Sequence, residues 1–267
     1  MQICLPLKSL LNKITDLDYD RITKKIVSAL KDELKSSKRE GYVFGLSGGL
    51  DSAVVASLLS QAASETTFAL VMPRAEITPK QDVSDATDLA KRLKMPFSVI
   101  DVTDIHSNAL RELPPDRLAG GNLLARIRMA LLYYYANQRN CLVAGTSDRS
   151  ELLIGYFTKY GDGGADILPI ASLYKTQVRM LGKFLALPDN ILNKKSTPML
   201  WEKHAAESEI GMSYEELDPI LHCLFDRKLS TKNTAKKLEL PFEKVEEIRQ
   251  KHIKSAHKRS LPKICKL

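Results

Sequence analysis

Apolar positions follow a helical period near the start of the chain and then change to short, continuous runs. Ile22, Ile26 and Leu30 recur four positions apart with charged residues on the other side, which predicts an amphipathic helix over residues 18–38. The run over residues 42–45 is apolar or glycine and predicts a buried strand. Residues 1–40 are therefore expected to form an N-terminal helix that leads into a core.

Three later apolar runs have the same strand character. Residues 68–72, 97–101 and 141–144 are short and apolar, and helical patterns separate them. Strands that alternate with helices predict an α/β fold, a doubly wound parallel sheet of the Rossmann-like kind, with ligands at the carboxyl ends of the strands. We expect an α/β core over residues 41–200, and over residues 201–267 a lid loop with a small, basic helical C-terminal appendage.

The stretch between the third and fourth strands divides into a loop and a helix. Its proline and glycine pairs predict a long loop over residues 105–121. The apolar run over residues 122–135 predicts a helix with Arg126 and Arg128 near its start. Arginines there oppose the helix dipole, so an anion is expected to hold each one, either a carboxylate of another helix or a phosphate.

The turn between the first strand and the next helix reads Ser47-Gly-Gly-Leu-Asp-Ser52. Gly48 and Gly49 allow backbone N–H groups to approach a phosphate, and the helix start adds further donors. The serine hydroxyls can donate to phosphate oxygens, whereas Asp51 beside a phosphate requires a cation such as Mg²⁺. The turn lacks the lysine of a GxxxxGK[ST] loop, so it is not the usual P-loop. It is either a phosphate-binding turn that serves a different reaction or a plain turn without a ligand.

Two further polar segments are expected near the same edge of the sheet. Thr146 follows the fourth strand, and Glu151 lies on the helix after it, where it can supply a second carboxylate for Mg²⁺ together with Asp51. The glycine-rich run over residues 155–166 is too irregular for a core element. It is either a functional loop or a plain surface loop.

Composition limits the possible classes of protein. A chain of 267 residues that is 44% hydrophobic can bury a sizeable core and is neither disordered nor fibrous. No apolar run approaches the ~20 residues of a membrane span, and the first residues do not resemble a cleavable leader, so a cytoplasmic protein without a membrane partner is expected. The cysteines are far apart and form no CxxC pair, which predicts reduced thiols: Cys4, Cys141, Cys223 and Cys265.

The net charge of +8 comes from the end of the chain. Residues 226–267 carry 13 Lys or Arg against 5 Asp or Glu, which fits a solvated face, a phosphate-rich small ligand or a nucleic-acid backbone. Residues 234–248 read as two short helices joined by a turn, as in a helix-turn-helix DNA reader. Glu243, Glu246 and Glu247 would repel phosphate there, so no nucleic-acid partner is expected.

Seven stretches carry a family resemblance that covers nearly the whole chain. They are the SGGLDS turn, residues 122–129, Gly145-Thr146 with Glu151, Thr158-Lys-Tyr-Gly-Asp-Gly-Gly-Ala-Asp-Ile-Leu-Pro169, Leu173-Tyr-Lys-Thr-Gln-Val178, Leu200-Trp201-Glu202 and His257-Lys258-Arg259. Together they resemble the ammonia-dependent NAD synthetases of the ATP pyrophosphatase (PP-loop) superfamily. The resemblance implies an adenine nucleotide alpha-hydrolase-like fold, a single NAD synthetase domain over residues 1–267, and a ligase that performs the last step of NAD biosynthesis.

The reaction implied by the resemblance has two steps. The carboxylate of nicotinic acid adenine dinucleotide (deamido-NAD) attacks the α-phosphate of ATP and displaces pyrophosphate. Ammonia then attacks the acyl adenylate and gives NAD and AMP. Fixed N–H donors and cations suit the charge on a transferring phosphoryl group, and the amine must lose a proton before it attacks.

The resemblance also implies roles for individual residues. The positions implied to bind ATP are Gly45, Leu46, Ser47, Gly48, Gly49, Leu50, Asp51, Ser52, Thr146, Lys175 and Thr197. Those implied to contact deamido-NAD are Arg126, Lys159, Asp166, His257 and Lys258. Asp51 and Glu151 are implied to bind Mg²⁺. Asp162 is implied to receive ammonium or help to remove its proton, and Ser47 and Lys175 complete the implied catalytic group.

The resemblance bears on partners as well. Members that use glutamine carry an extra N-terminal amidase domain, which forty residues cannot contain, so free ammonia or a separate glutaminase is expected to supply nitrogen. Family members are homodimers that bind the dinucleotide at the subunit interface, and the helix over residues 122–135 is either that interface or ordinary core. The stretch Ser196-Thr-Pro-Met199 departs from the family pattern, so Thr197 is placed by its distance from Leu200-Trp201-Glu202.

Two other functions fit part of the sequence. A tRNA-modifying ATP pyrophosphatase would use the same turn, but such enzymes usually add a cysteine pair or an RNA-binding domain. A DNA-binding module on an inactive nucleotide fold would bind DNA in a salt-sensitive way and release no pyrophosphate.

Overall fold

A four-stranded parallel sheet forms the centre of the molecule. The structure is a computed structural model that describes residues 5–197, 199–201 and 205–265. The strands lie in the order β3-β2-β1-β4, with β1 (Tyr42–Gly45), β2 (Phe68–Val71), β3 (Phe97–Val99) and β4 (Leu142–Ala144). The order reverses beside β1, so the turn that follows β1 lies at the topological switch point where ligands bind in such sheets.

Helices account for most of the remaining described residues. The helices α1 and α2 precede the sheet, and the next helices alternate with the strands as far as β4. After β4 the described part of the chain contains helices and no further strand. The helices are α1 (Leu5–Thr15), α2 (Tyr19–Ser37), α3 (Leu50–Ala63), α4 (Lys80–Arg92), α5 (Thr103–Arg111), α6 (Arg117–Gln138), α7 (Arg149–Ile154), α8 (Lys175–Phe184), α9 (Asp189–Leu192), α10 (Ala206–Ile210), α11 (Tyr214–Leu221), α12 (Thr231–Leu238) and α13 (Phe242–Lys254).

The two faces of the sheet bury separate apolar clusters. Tyr42 and Phe44 of β1 point to the face covered by α2, α3 and α8, whereas Val43 points to the face covered by α6. Fully burying large apolar side chains such as Leu58 and Leu59 stabilises the fold by roughly 1.5–3 kcal/mol each. The doubly wound α/β arrangement predicted from the sequence is confirmed, because α3 and α6 cover opposite faces of the sheet.

A third apolar cluster belongs to the C-terminal helices. Leu217 of α11, Leu238 of α12 and Ile248 of α13 are fully buried together, and Ile154 of α7 joins them. The appendage therefore packs on the helix that follows β4. The boundaries at residues 40 and 200 stay predictions.

Two local predictions were wrong. Residues 105–121 are not a long loop, because α5 and the first turns of α6 occupy most of them. Asp116 caps α6 by accepting a 2.7 Å hydrogen bond from the Ala119 N–H. Gly121 lies inside the helix, where glycine is required because a Cβ would come within 2.9 Å of Leu200 Cβ. Similarly, the first forty residues contain α1 as well as the single predicted helix α2.

None of the helices in the described residues is both long and apolar enough to cross a membrane. The cytoplasmic location stays a prediction.

Candidate active site

A cavity of about 640 Å³ opens at the carboxyl edge of the sheet. Residues from both faces and from the loops beyond β4 line it. They include Gly45, Leu46, Ser47, Gly49, Leu50, Asp51 and Ser52 of the first turn, then Met72, Arg128, Thr146, Glu151, Asp162, Lys194, Thr197, Trp201 and Lys258. The cavity thus brings the SGGLDS turn, Thr146, Thr197 and the glycine-rich loop together.

The SGGLDS turn has a fixed shape. Gly48 has a φ of +77°, and a Cβ there would lie 2.2 Å from the Asp82 carbonyl oxygen, so only glycine fits. The hydroxyls of Ser47 and Ser52 lie 3.0 Å apart, and Ser47 Oγ accepts a 3.2 Å hydrogen bond from the Gly49 N–H. The serines therefore hold the loop together, and α3 begins directly behind it at Leu50.

The side chain of Lys194 supports the SGGLDS turn. Lys194 Nζ donates to the Gly48 carbonyl at 2.8 Å, to Asp82 at 2.6 Å and to Asp85 at 2.7 Å. Both aspartates lie on α4 and are almost fully buried. These hydrogen bonds lower the pKa of Asp85 against the opposing effect of its burial. Sequence reasoning missed Lys194, since no local pattern connects it to Gly48.

Three carboxylates surround the ammonium group of Lys175, the first residue of α8. Its Nζ lies 2.6 Å from Asp51, 2.8 Å from Asp148 and 3.0 Å from Glu151. Asp148 and Lys175 are fully buried, whereas Asp51 and Glu151 are partly exposed toward the cavity. The structure therefore brings the two predicted metal ligands together and adds a third acid, Asp148.

The electrostatics of this cluster are those of a site with surplus negative charge. Burial works against the ammonium form of Lys175, but Asp148, Asp51 and Glu151 outweigh it and raise the lysine pKa well above its ordinary value. Burial also raises the pKa of Asp148 and, together with the neighbouring Asp148 charge, that of Glu151. One ammonium does not neutralise three carboxylates, so the cluster can accept a further cation when a ligand arrives.

The donor set fits a small hard cation. Oxygens of Asp51, Asp148 and Glu151 all lie within 4.8 Å of one another. Asp51 Oδ1 is buried and has no hydrogen-bond partner in the described structure, so it has a lone pair available for a metal ion. Carboxylate and phosphate oxygens are the ligands that Mg²⁺ prefers.

Local folding explains why Asp148 lies there. It is the N-cap of α7, where its side chain accepts from the Glu151 N–H at 2.9 Å and Glu151 returns a 3.3 Å bond from the Asp148 N–H. This capping box places both carboxylates at the start of one helix. Its Asp-x-x-Glu signature was visible in the sequence and could have identified Asp148.

Asp218 of α11 joins the two helix starts that carry the cluster. It accepts hydrogen bonds from Ser150 Oγ at 2.6 Å and from the Thr176 N–H and Oγ1 at 2.8 and 2.7 Å. Burial raises its pKa to about 7. The C-terminal helices therefore fix α7 against α8 through one buried carboxyl group.

The glycine-rich loop after α7 places Asp162 in the cavity. Asp162 accepts a 2.8 Å bond from the Thr158 N–H, and burial raises its pKa. Lys258 approaches the same region from the end of the chain, where its Nζ donates to the Gly155 and Phe157 carbonyls at 2.8 and 2.7 Å. A basic carboxylate beside a cation is thus present at one end of the cavity.

Four predicted dinucleotide contacts lie outside the residues that line the cavity. Arg126 Nε donates to the Lys159 carbonyl at 3.3 Å, and Lys159 Nζ donates to the His257 carbonyl at 2.7 Å, so these three residues are adjacent to one another. Asp166 accepts from the Tyr133 hydroxyl and from the Val143 N–H. In the described structure the Lys159 carbonyl accepts from Arg126, and the anion expected at this arginine stays a prediction.

Fold and site together define an α/β enzyme that uses a nucleotide, with a phosphate-binding turn facing a carboxylate–lysine cluster. A family model described as NAD synthase matches residues 22–262, so the chain belongs to the NAD synthase family. The family expected from the sequence motifs is confirmed. Glu202 of the Leu200-Trp201-Glu202 stretch and Cys4 lie outside the described residues.

Named relatives agree with this assignment. The chain is 50% identical over 255 residues to an NH(3)-dependent NAD(+) synthetase of Hyperthermus butylicus, covering 94% of this chain and 92% of the relative. It is 44% identical to the enzyme of the same name from Staphylothermus marinus, covering 95% and 94% of the two chains.

Solved structures show the same fold. An NMN synthetase from Francisella tularensis has a TM-score of 0.82 at 36% identity, and an NH3-dependent NAD synthetase from Campylobacter jejuni has a TM-score of 0.81 at 34% identity. Each alignment covers 94% of this chain and all of the other.

Proposed function

We propose that this protein is a ligase that converts deamido-NAD to NAD with ammonia and ATP, through an acyl adenylate, and releases AMP and pyrophosphate. One observation carries the proposal: the SGGLDS turn and Asp162 line the same cavity. The first can hold the leaving pyrophosphate, and the second can accept a proton from the incoming amine. The relatives named above act with ammonia, which agrees with this assignment.

Residues 45–52 are the proposed contacts of the ATP phosphates. Their N–H groups and the start of α3 offer fixed donors for the charge that develops on pyrophosphate. Thr146 and Thr197 line the cavity close to the turn and are the proposed additional ATP contacts. Lys175 is the proposed cation for the transferring phosphoryl group, and Asp148, Asp51 and Glu151 keep it charged despite its burial.

Asp51 and Glu151 are the proposed ligands of Mg²⁺, with Asp148 behind them. When bound, Mg²⁺ would spread the negative charge of the triphosphate. The protein side of this arrangement is already assembled, because Lys175 holds the three carboxylates within hydrogen-bond distance of one ammonium group.

Residues near Asp162 in the structure are the proposed contacts of deamido-NAD. Lys258 lines the cavity, and Arg126, Lys159 and His257 form a connected group outside it. We assign these residues, with Asp166, to contacts with deamido-NAD, and we expect a homodimer whose second copy completes that part of the site. The burial of Asp162 makes its carboxylate more basic, which suits removal of a proton from ammonium.

A direct assay tests the proposal. Purified protein receives ATP, Mg²⁺, ammonium and deamido-NAD, and NAD and pyrophosphate are measured; both should form in equal amounts. Glutamine in place of ammonium should give little product. If deamido-NAD elicits no pyrophosphate release while a tRNA substrate does, the tRNA-modifying alternative replaces the proposal.

A second candidate substrate has one specific observation in its favour. The Francisella tularensis neighbour is an NMN synthetase, and it is as similar to this chain as the NAD synthetase neighbour. The same assay with nicotinic acid mononucleotide separates the two substrates. We expect kcat/KM to be higher for deamido-NAD, and the reverse ratio would assign the enzyme to the mononucleotide.

A further inference from the structure

The cavity contains a cation to which no role has been given. Arg128 of α6 lines the cavity, and its Nε donates to the Met72 carbonyl at 3.2 Å. Within the described part of the chain, no carboxylate pairs with its guanidinium and no acceptor bonds its two terminal nitrogens. Burial lowers its pKa to about 10, so it keeps its charge at neutral pH.

The position of Arg128 separates it from the phosphate turn. α3, which begins behind the turn, packs on one face of the sheet, whereas α6 packs on the other. The hydrogen bond to Met72 places Arg128 over the end of β2, and Asp162, beyond β4, exerts a favourable electrostatic effect on it. Arg128 therefore faces the Asp162 end of the cavity from the side opposite α3.

Apolar side chains of α6 accompany Arg128 in the lining of the cavity. Met129 follows it directly, Leu132 lies one helical turn further on, and both line the cavity. An unpaired guanidinium beside apolar side chains suits a flat ring that bears one anionic group, because the side chains pack on the ring while the guanidinium pairs with the charge.

We propose that Arg128 binds the carboxylate of the pyridine ring of deamido-NAD and presents it to the α-phosphate of ATP. This inference rests on the proposed function. A guanidinium offers two parallel N–H groups that match both oxygens of a carboxylate. The proposed partners of the ATP phosphates are the turn and Lys175. The cationic group of Lys159, His257 and Lys258 is available for the pyrophosphate of the dinucleotide, so the anion left for Arg128 is the carboxylate of the pyridine ring.

The assignment gives Arg128 a part in specificity. The substrate carries a negative carboxylate, whereas the product carries a neutral amide of nearly the same shape. Arg128 favours the acid over the amide, so amidation weakens binding and helps the product to leave. Loss of one charge-assisted bidentate contact corresponds to a change in relative affinity of about 10- to 100-fold.

The test measures equilibrium binding of deamido-NAD, NAD and Mg²⁺-ATP separately, by calorimetry, for wild type, Arg128→Gln and Arg128→Lys. Wild type should prefer deamido-NAD over NAD by about 10- to 100-fold. Arg128→Gln should bring that ratio close to one with the ATP affinity unchanged, and Arg128→Lys should give an intermediate ratio. Arg111→Gln, which removes an exposed arginine of α5, is the matched control and should keep the wild-type ratio.

Each outcome separates the inference from the proposed function. If Arg128→Gln keeps the preference for the acid, or weakens both dinucleotides equally, the inference fails while turnover by wild type still supports the function. If only ATP binding weakens, the anion is a phosphate and the inference is overturned. If wild type makes neither NAD nor pyrophosphate, the proposed function itself fails. Arg128→Lys decides the question should the glutamine variant not fold.

Discussion

The ammonium group of Lys175 lies 2.8 Å from a carboxylate oxygen of Asp148, and neither side chain has any exposed surface. A buried ion pair adds little net stability compared with an apolar pair, but removing one partner leaves the other charge without compensation. Two further carboxylates within 3.0 Å make Lys175 the group on which the local fold depends most.

Lys175→Met should lower the free energy of unfolding by about 3–5 kcal/mol at pH 7.5, because Asp148 is then buried without a cation. The loss should be smaller near pH 5. The remaining carboxylates have folded-state pKa values above those of the unfolded chain, so stability falls as the pH rises through that interval. Urea denaturation at the two pH values measures both effects. Lys24→Met, which removes an exposed helix-surface pair, is the control and should leave the urea midpoint almost unchanged at both pH values.

Asp51→Asn should reduce kcat/KM by about 100-fold and raise the dissociation constant of Mn²⁺, used in place of Mg²⁺, by a factor of about 10 to 100. The reason is that Asp51 Oδ1 is a buried carboxylate oxygen that lacks a hydrogen-bond partner in the described structure, and Asp51 lines the cavity. Electron paramagnetic resonance of bound Mn²⁺ gives the affinity independently of turnover. Asp88→Asn removes an exposed carboxylate of α4 and serves as the control; equal Mn²⁺ affinity in the two variants would exclude Asp51 as a ligand.

Gly48→Ala should destabilise the protein by more than about 2 kcal/mol and weaken ATP binding by at least about 10-fold, since the new methyl group would collide with the Asp82 carbonyl. Gly211→Ala is the informative comparison. Gly211 also has a positive φ, +88°, but no atom lies within 4 Å of its Cβ position, so only backbone strain of about 1 kcal/mol is expected. Similar losses in the two variants would mean that strain, and not the close contact, governs Gly48.

Asp218→Asn should change how stability depends on pH. In wild type the pKa of Asp218 is raised to about 7, so this residue lowers the free energy of unfolding progressively as the pH rises from about 4 to 7, by an amount on the order of a few kcal/mol. The asparagine variant cannot titrate there. The free energy of unfolding of the variant should therefore rise relative to that of wild type as the pH increases from about 4 to 7. A difference in free energy that does not depend on pH would contradict the raised pKa of Asp218. Chemical denaturation at four pH values is sufficient.

Local sequence was enough to predict the parts of the site that are local in the chain. The run from Tyr42 to Leu59 contains a strand, a turn and a helix in succession, and each is specified by residues within a few positions. Family motifs added Lys175 and Asp162, which composition and periodicity did not distinguish from other polar residues.

The contacts that tertiary structure creates could not be read in this way. Lys194 reaches Gly48 across 146 positions of sequence. The inward direction of Arg128 depends on the helical phase of α6. The glycine pair inside that helix predicts a loop, because the packing of Gly121 against Leu200 and Trp201 is not visible in the sequence. Asp148 is different, since its helix-capping pattern with Glu151 is local and present in the sequence.

The hydrogen bonds from Lys194 and between the two serines also affect the thermodynamics of nucleotide binding. Because they fix the SGGLDS backbone before any ligand arrives, little conformational entropy remains to be lost when ATP enters. The entropy cost of ordering the SGGLDS turn is therefore met when the protein folds. More of the interaction energy with ATP can then hold the reacting groups in line.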